Sequence, residues 1–138
     1  MNKTEARRMR AQMEATFAAA APNMDADAAI RARALCAAWE PGVYAVGDVR
    51  THDDVPYRCC QAHDSTENPD WTPAAERALW SPYHGTAPET ALPWAAPTGA
   101  HDMYKAGECM IWTDGTVKRC TQDTNFSPDE YAQAWKDV

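Results

Sequence analysis

The apolar positions follow one rhythm in the first forty residues and another beyond them. Met9, Met13 and Phe17 recur every four residues and form one stripe, with Arg7, Arg10 and Glu14 outside it. That spacing is the period of an amphipathic helix. Thr4 is placed to cap this helix by accepting a first-turn N–H, and Pro22-Asn23 stops it. Asp25 or Asp27 opens a second helix running through Ala38, with Ile30 and Leu35 among its apolar contacts. The prediction for residues 1–38 is therefore a helical hairpin. Short isolated helices are marginal in water, so the stripe must meet something. It either packs on the segment that follows or serves self-association or docking onto a larger assembly.

From Trp39 onward the pattern becomes short apolar runs broken by turns, and it repeats. Shifted by sixty residues, Tyr44-Ala-Val-Gly47-Asp48 falls on Tyr104-Lys-Ala-Gly107-Glu108, and Cys60 falls on Cys120. With the second copy shortened by five residues, Trp71-Thr72-Pro73 falls on Phe126-Ser127-Pro128 and Trp80 on Trp135. The shared order predicts a duplicated β-module, an Asp/Glu-closed turn leading into a hairpin. In the second copy Asp114-Gly115 reads as a two-residue hairpin turn, which sets Cys109 opposite Cys120 as side-by-side thiols. In the first copy the turn around His52-Asp53-Asp54 reads as longer. The expected class is α+β: helical residues 1–38, one module over 39–84, a linker over 85–93 and a second module over 94–138. Large aromatics suit cores this small, each removing roughly 150–250 Å² from water. Tyr44, Trp80, Tyr104 and Trp135 are accordingly expected to be scaffold.

Composition sharpens this division. All six Trp and all five Tyr lie at or beyond Trp39. The net charge is −7, and residues 41–138 hold seven Lys/Arg against fifteen Asp/Glu. An acidic body without a basic stripe argues against nucleic-acid binding. No apolar run approaches the ~20 residues that span a bilayer, and the start of the chain lacks the apolar core of a signal peptide. These features predict a soluble chain made in the cytoplasm, without membrane insertion. Five cysteines without a secretory signal read as reduced, mostly buried thiols.

The order Tyr44…Gly47-Asp48…Tyr57-Arg58-Cys59…Trp80 resembles the chitin-binding carbohydrate-binding modules of families 5 and 12. Tyr57-Arg-Cys-Cys-Gln-Ala-His63, Trp71-Thr-Pro73 and Leu79-Trp80 are most similar to the version in small phage and prophage tail-associated proteins, and the stretch Trp94 to Tyr104 resembles their second module. The resemblance implies a non-enzymatic accessory protein of a virion tail that contacts host-surface polysaccharide. The alternative is an assembly protein whose modules and helices bind other tail or fibre proteins, with homo-oligomerisation through residues 1–38 as a further expectation. The adjacent aromatic pair that chitin-binding members carry after the second strand is replaced by Gln61-Ala-His-Asp-Ser65 and by Thr121-Gln-Asp-Thr-Asn125.

A sugar site needs an exposed aromatic face with polar groups beside it. Trp71, set between Asn68-Pro-Asp70 and Thr72-Pro73, fits best, with Trp39 and Tyr57 as neighbours; a cap over the small core is the competing role for Trp71. No metal or other cofactor is expected. His52, Cys59, Cys60 and His63 have zinc-ligand chemistry, but adjacent strand residues point to opposite faces. No nucleophile–base arrangement or phosphate loop suggests catalysis.

Overall fold

The computed structural model describes residues 2–138. Helix α1 (Lys3–Ala20) is capped by Asn2, whose side chain accepts the Glu5 N–H at 2.8 Å. Thr4 lies inside the first turn instead. A 3-10 turn at Ala21–Asn23 leads to Asp25, which caps α2 (Ala26–Arg31) through the Ala28 N–H. The second helix stops seven residues short of the expected Ala38. A 3-10 turn follows at Arg33–Leu35, and then Ala37 accepts the Thr51 N–H at 2.9 Å. That sheet pairing, with burial of Cys36 against Val49, outweighs the helix preference of the alanine-rich stretch. Of the stripe on α1 only Phe17 is buried, in a cluster with Ala21, Ala29, Cys36 and Val49.

The first β-half contains β1 (Val43–Tyr44), β2 (Val49–His52), β3 (Val55–Cys59), β4 (His63–Asp64) and β5 (Trp80–Pro82). Strands β1 and β4 pair, and β2-β3-β5 form an antiparallel sheet. Its hairpin is tighter than the sequence suggests. His52 pairs with Val55, leaving Asp53 and Asp54 as a two-residue loop with φ of 50° and 64°. Two positive values mark a type I′ turn, whose twist matches that of the strands.

The second half contains β6 (Leu92–Pro93), β7 (Cys109–Ile111), β8 (Val117–Cys120) and β9 (Trp135–Asp137), hydrogen-bonded in that order. The stretch 85–93, expected as a linker, instead supplies the Gly85 bridge to Cys109, a 3-10 turn at Pro88–Thr90 and strand β6. β6 pairs with β7 in parallel, so this sheet is mixed rather than wholly antiparallel. The hairpin loop is three residues long: Gly115 donates to Trp112 O at 2.9 Å and sits at φ 86°. The extra loop residue moves the register by one position relative to an Asp114-Gly115 turn. Cys109 thus faces Arg119, and Cys120 faces Trp135. The two cysteines are not opposite one another, and among the described residues all five are free.

The bonds that organise the first half recur in the second. Gly47 and Gly107, at φ 94° and 95°, donate to Cys59 O and Cys120 O at 3.0 and 2.8 Å. Asp48 and Glu108 accept the N–H groups of Ala45 and Lys105 at 2.8 and 2.7 Å. The thiols of Cys59 and Cys120 donate to Gln61 O and Gln122 O. Trp39 and Trp94 donate main-chain bonds to Thr51 O and Ile111 O at 2.8 and 2.9 Å. Cys59 therefore holds the place of Cys120, and Cys60 lies one position beyond it; the different loop lengths account for the offset. Each core closes on a tyrosine set edge-on to a tryptophan: Tyr44–Trp80 at 5.0 Å and 75°, Tyr104–Trp135 at 5.2 Å and 71°.

The halves are stitched together. Tyr104 lies between the rings of His84 (3.8 Å) and Trp94 (5.1 Å), both nearly parallel to it. His84 Nδ1 donates to Glu108 at 3.1 Å. Arg77 donates to Asp102 at 2.9 Å, and His101 Nε2 donates to Arg77 O at 2.7 Å. Asp27 on α2 accepts from Thr86 and Thr90, tying the helices to the second half as well.

Candidate functional site

Trp71 stands in the irregular segment between β4 and β5, and local bonds fix its path. Ser65 is fully buried and exchanges bonds with the Gly42 backbone. Asn68 then donates to Ser65 O, and Trp71 to Asn68 O at 3.1 Å. Beyond Trp71, Thr72 O accepts from Ala75 and Glu76, and Pro73 is buried. The indole is thus a half-buried side chain on a loop anchored on both sides. Among the described residues no other aromatic ring packs face to face or edge to face with it.

The two expected neighbours lie elsewhere. Tyr57 is only 6% exposed and belongs to the core with Tyr44, Cys59 and Trp80. It lines a small cavity of about 120 Å³ between the halves, together with Trp94 and Tyr104. Burial pushes its hydroxyl pKa up, and a sugar cannot reach it. Trp39 is half-buried, edge-on to His52 at 6.4 Å, and its indole N–H is buried without a partner. Of the three candidates, Trp71 and Trp39 retain exposed surface. Tyr44, Trp80, Tyr104 and Trp135 are all buried.

The second half carries an aromatic surface that sequence reasoning passed over. Phe126 is 55% exposed and forms, with Met103 and Tyr131, the apolar wall of an open groove of about 760 Å³. Asp123, Asn125 and Glu130 form its polar rim. The ring is held from the backbone: Phe126 N donates to Thr124 Oγ1 at 3.0 Å, and its carbonyl accepts the Trp135 indole N–H at 2.9 Å. Gln122 donates to the Tyr131 hydroxyl at 2.8 Å and fixes the second ring. The signal was available, because Phe126 occupies the place of Trp71. Thr72 and Ser127 each accept the same pair of turn bonds in the two halves. An apolar side chain there reads most simply as a core cap, and the exposure overturns that.

The comparisons with known proteins bear on the first half. Residues 37–81 match the model of carbohydrate-binding module family 5/12. A module of that type is therefore present, and it includes Trp39, Tyr44, Tyr57, Trp71 and Trp80. Among solved structures, a family GH18 chitinase from Chromobacterium violaceum is 34% identical over 44% of this chain, with a TM-score of 0.33. The match spans 16% of that chitinase. No curated protein sequence matches.

Among the described residues no three His, Cys, Asp or Glu side chains gather as metal ligands. His63 Nδ1 is spent on Gln61 O at 2.7 Å, with Cys59 Sγ at 3.7 Å. Burial raises the thiol pKa values of Cys59, Cys60 and Cys120 and pushes Cys36 up to about 11. Such thiols are poor nucleophiles at neutral pH. Among the described residues no helix is long and apolar enough to cross a membrane.

Proposed function

We propose that this chain is a non-enzymatic glycan-contacting accessory protein of a phage or prophage tail. The first half meets the sugar through Trp71, and the second, as a diverged copy of the same module, through Phe126 and Tyr131. The observation that carries the reading is the family 5/12 match over residues 37–81, with Trp71 presented on its anchored loop. An indole or phenyl face covers the C–H side of a pyranose ring, while carboxylates and amides such as Asp123, Asn125 and Glu130 bond ring hydroxyls. The acidic rim favours neutral or amino sugars over uronic acids. The tail setting rests on the resemblance carried by Tyr57–His63, Trp71–Pro73 and Leu79-Trp80. Single contacts of this kind are weak, roughly 0.5–1.5 kcal/mol beyond area burial, so a multi-copy particle would gain by avidity.

The test is an NMR titration of the whole chain with chito-oligosaccharides and peptidoglycan fragments, repeated with Trp71→Ala and Phe126→Ala. Shifts centred on the two loops, lost selectively in the matching variant, are expected. Unchanged spectra with every glycan of the host envelope, for free chain and multivalent array alike, would sink the sugar reading. Immunogold labelling of purified particles tests the setting, and the absence of label on tails would refute it.

A second reading, an assembly protein that binds other tail components, is favoured by one observation. From Lys3 through Met13 every residue of α1 is exposed, so three turns of helix present most of their surface to solvent.

A further inference from the structure

We propose that the free part of α1 pairs with α1 of a second copy of this chain, in parallel, to form a homodimer. The geometry begins with the mismatch between sequence and burial. Met9 and Met13 lie on the same stripe as buried Phe17, yet are 48% and 39% exposed. They continue into an apolar groove of about 360 Å³ lined by Phe17, Ala20, Met24 and Leu35, itself 39% exposed. A helix whose first three turns are exposed has little tertiary packing to hold them, and isolated helices of that length are marginal in water.

Charge identifies the occupant. Ala6, Met9, Met13, Thr16 and Ala20 fall on alternating three- and four-residue steps, the seam positions of a two-helix coil. Glu5 then flanks the seam on one side and Arg10 on the other, five residues later. In a parallel pair, these flanking positions meet across the interface, Glu5 of one helix against Arg10 of the partner, and symmetry makes the contact twice. Arg10 is already ordered by Glu14 of its own helix at 3.1 Å, so its guanidinium sits between two carboxylates. In an antiparallel pair centred on Met9 and Met13, Glu5 would lie opposite Phe17 and the match would be lost. Small Thr16 and Ala20 leave room for a second helix where the groove meets the body.

Analytical ultracentrifugation of the full chain over a concentration series tests this. The wild type should sediment as a dimer, and Met9→Glu/Met13→Glu as a monomer. All six tryptophans lie beyond the helices, so unchanged near-UV circular dichroism shows that the double variant keeps its β-halves folded. Glu5→Arg and Arg10→Glu should each weaken association about tenfold, and the two together should restore it. A wild type monomeric throughout, a dimer indifferent to Met9→Glu/Met13→Glu, association only with a different protein, or failure of the charge swap to recover would overturn the proposal.

Discussion

The two β-halves share a frame of hydrogen bonds and differ in what covers it. Both close a turn with a glycine at positive φ and an acidic side chain, and both set a tyrosine edge-on to a tryptophan. Trp80 is fully buried with its indole N–H unpaired, whereas the Trp135 N–H is held by Phe126 O. In the first half the loop residue Trp71 is half-buried; in the second, Phe126 is 55% exposed. The lesson is that one frame can present its loop aromatic at different depths. The frame tolerates both solutions because the bonds that define it are made by backbone and by short acidic side chains.

The largest test of the frame is truncation of the closing tryptophans. Trp80→Ala and Trp135→Ala should each cost about 3–5 kcal/mol, the usual penalty for emptying a large aromatic site, measured by urea unfolding. A loss under half of that at either site would mean that this half is not built on its tryptophan. Trp→Phe separates the halves. At Trp135 it removes a satisfied bond and should cost more than at Trp80, where the lost N–H had no partner, by about 1 kcal/mol.

Next in size is the stitch between the halves. Asp102 is buried and accepts from Thr98 N, Gly99 N, the Thr98 hydroxyl and Arg77. Burial opposes its charge, but those donors prevail and hold its pKa below the usual carboxylate value. A depressed carboxylate stabilises the fold above its unfolded pKa of about 3.9, and that contribution is lost as pH falls through the lower folded value. Asp102→Asn should cost about 3 kcal/mol at neutral pH, since it leaves Arg77 buried without its counter-charge. It should also flatten the acid limb of the stability profile below about pH 4. An unchanged acid limb would assign that limb to other carboxylates.

Smaller still is the paired glycine test. A Cβ at Gly47 or Gly107 meets nothing within 4 Å, so Gly→Ala at either site reports backbone strain alone. Each should cost about 1–2 kcal/mol, and the two values should agree; a clear inequality would show that the turns are not equivalent. The smallest effect is at Asp54, whose φ of 64° suits glycine. Asp54→Gly should gain up to about 1 kcal/mol from the Asp-Gly turn preference, offset in part by the exposed Arg33 pair. A measurable loss would mean that this ion pair matters more than exposure suggests.

The α+β class, the helical start, the buried scaffold aromatics and the tight link from Gly-Asp/Glu into a hairpin were all legible in residue pattern. Those features rest on local chemistry, a period or a turn preference, which a linear reading captures. The misses were decisions between local options made by distant contacts. Asn2 rather than Thr4 caps α1, although both have the chemistry. The second helix ends at Arg31 because the sheet claims Ala37. One loop residue at Gly115 moves Cys109 from Cys120 to Arg119, a shift the Asp-Gly pair does not announce. At the candidate site, Trp71 was chosen from its polar surroundings, and its ring is half-buried. Tyr57 was misjudged because its strand position does not reveal that it packs inward against Tyr44, Cys59 and Trp80. Phe126 was missed because an apolar side chain in this loop reads as a core cap, whereas it is 55% exposed.

The stack of His84, Tyr104 and Trp94 has a consequence for how the molecule breaks. Tyr104 is the central core ring of the second half, yet one of its faces is covered by a residue from just beyond β5. A cut after His84, at the end of the first half, would strip that face from one fragment. It would also leave Arg77 on the other fragment without Asp102. Neither piece would keep its native stability, so calorimetry on the whole chain should show one cooperative melting transition rather than two.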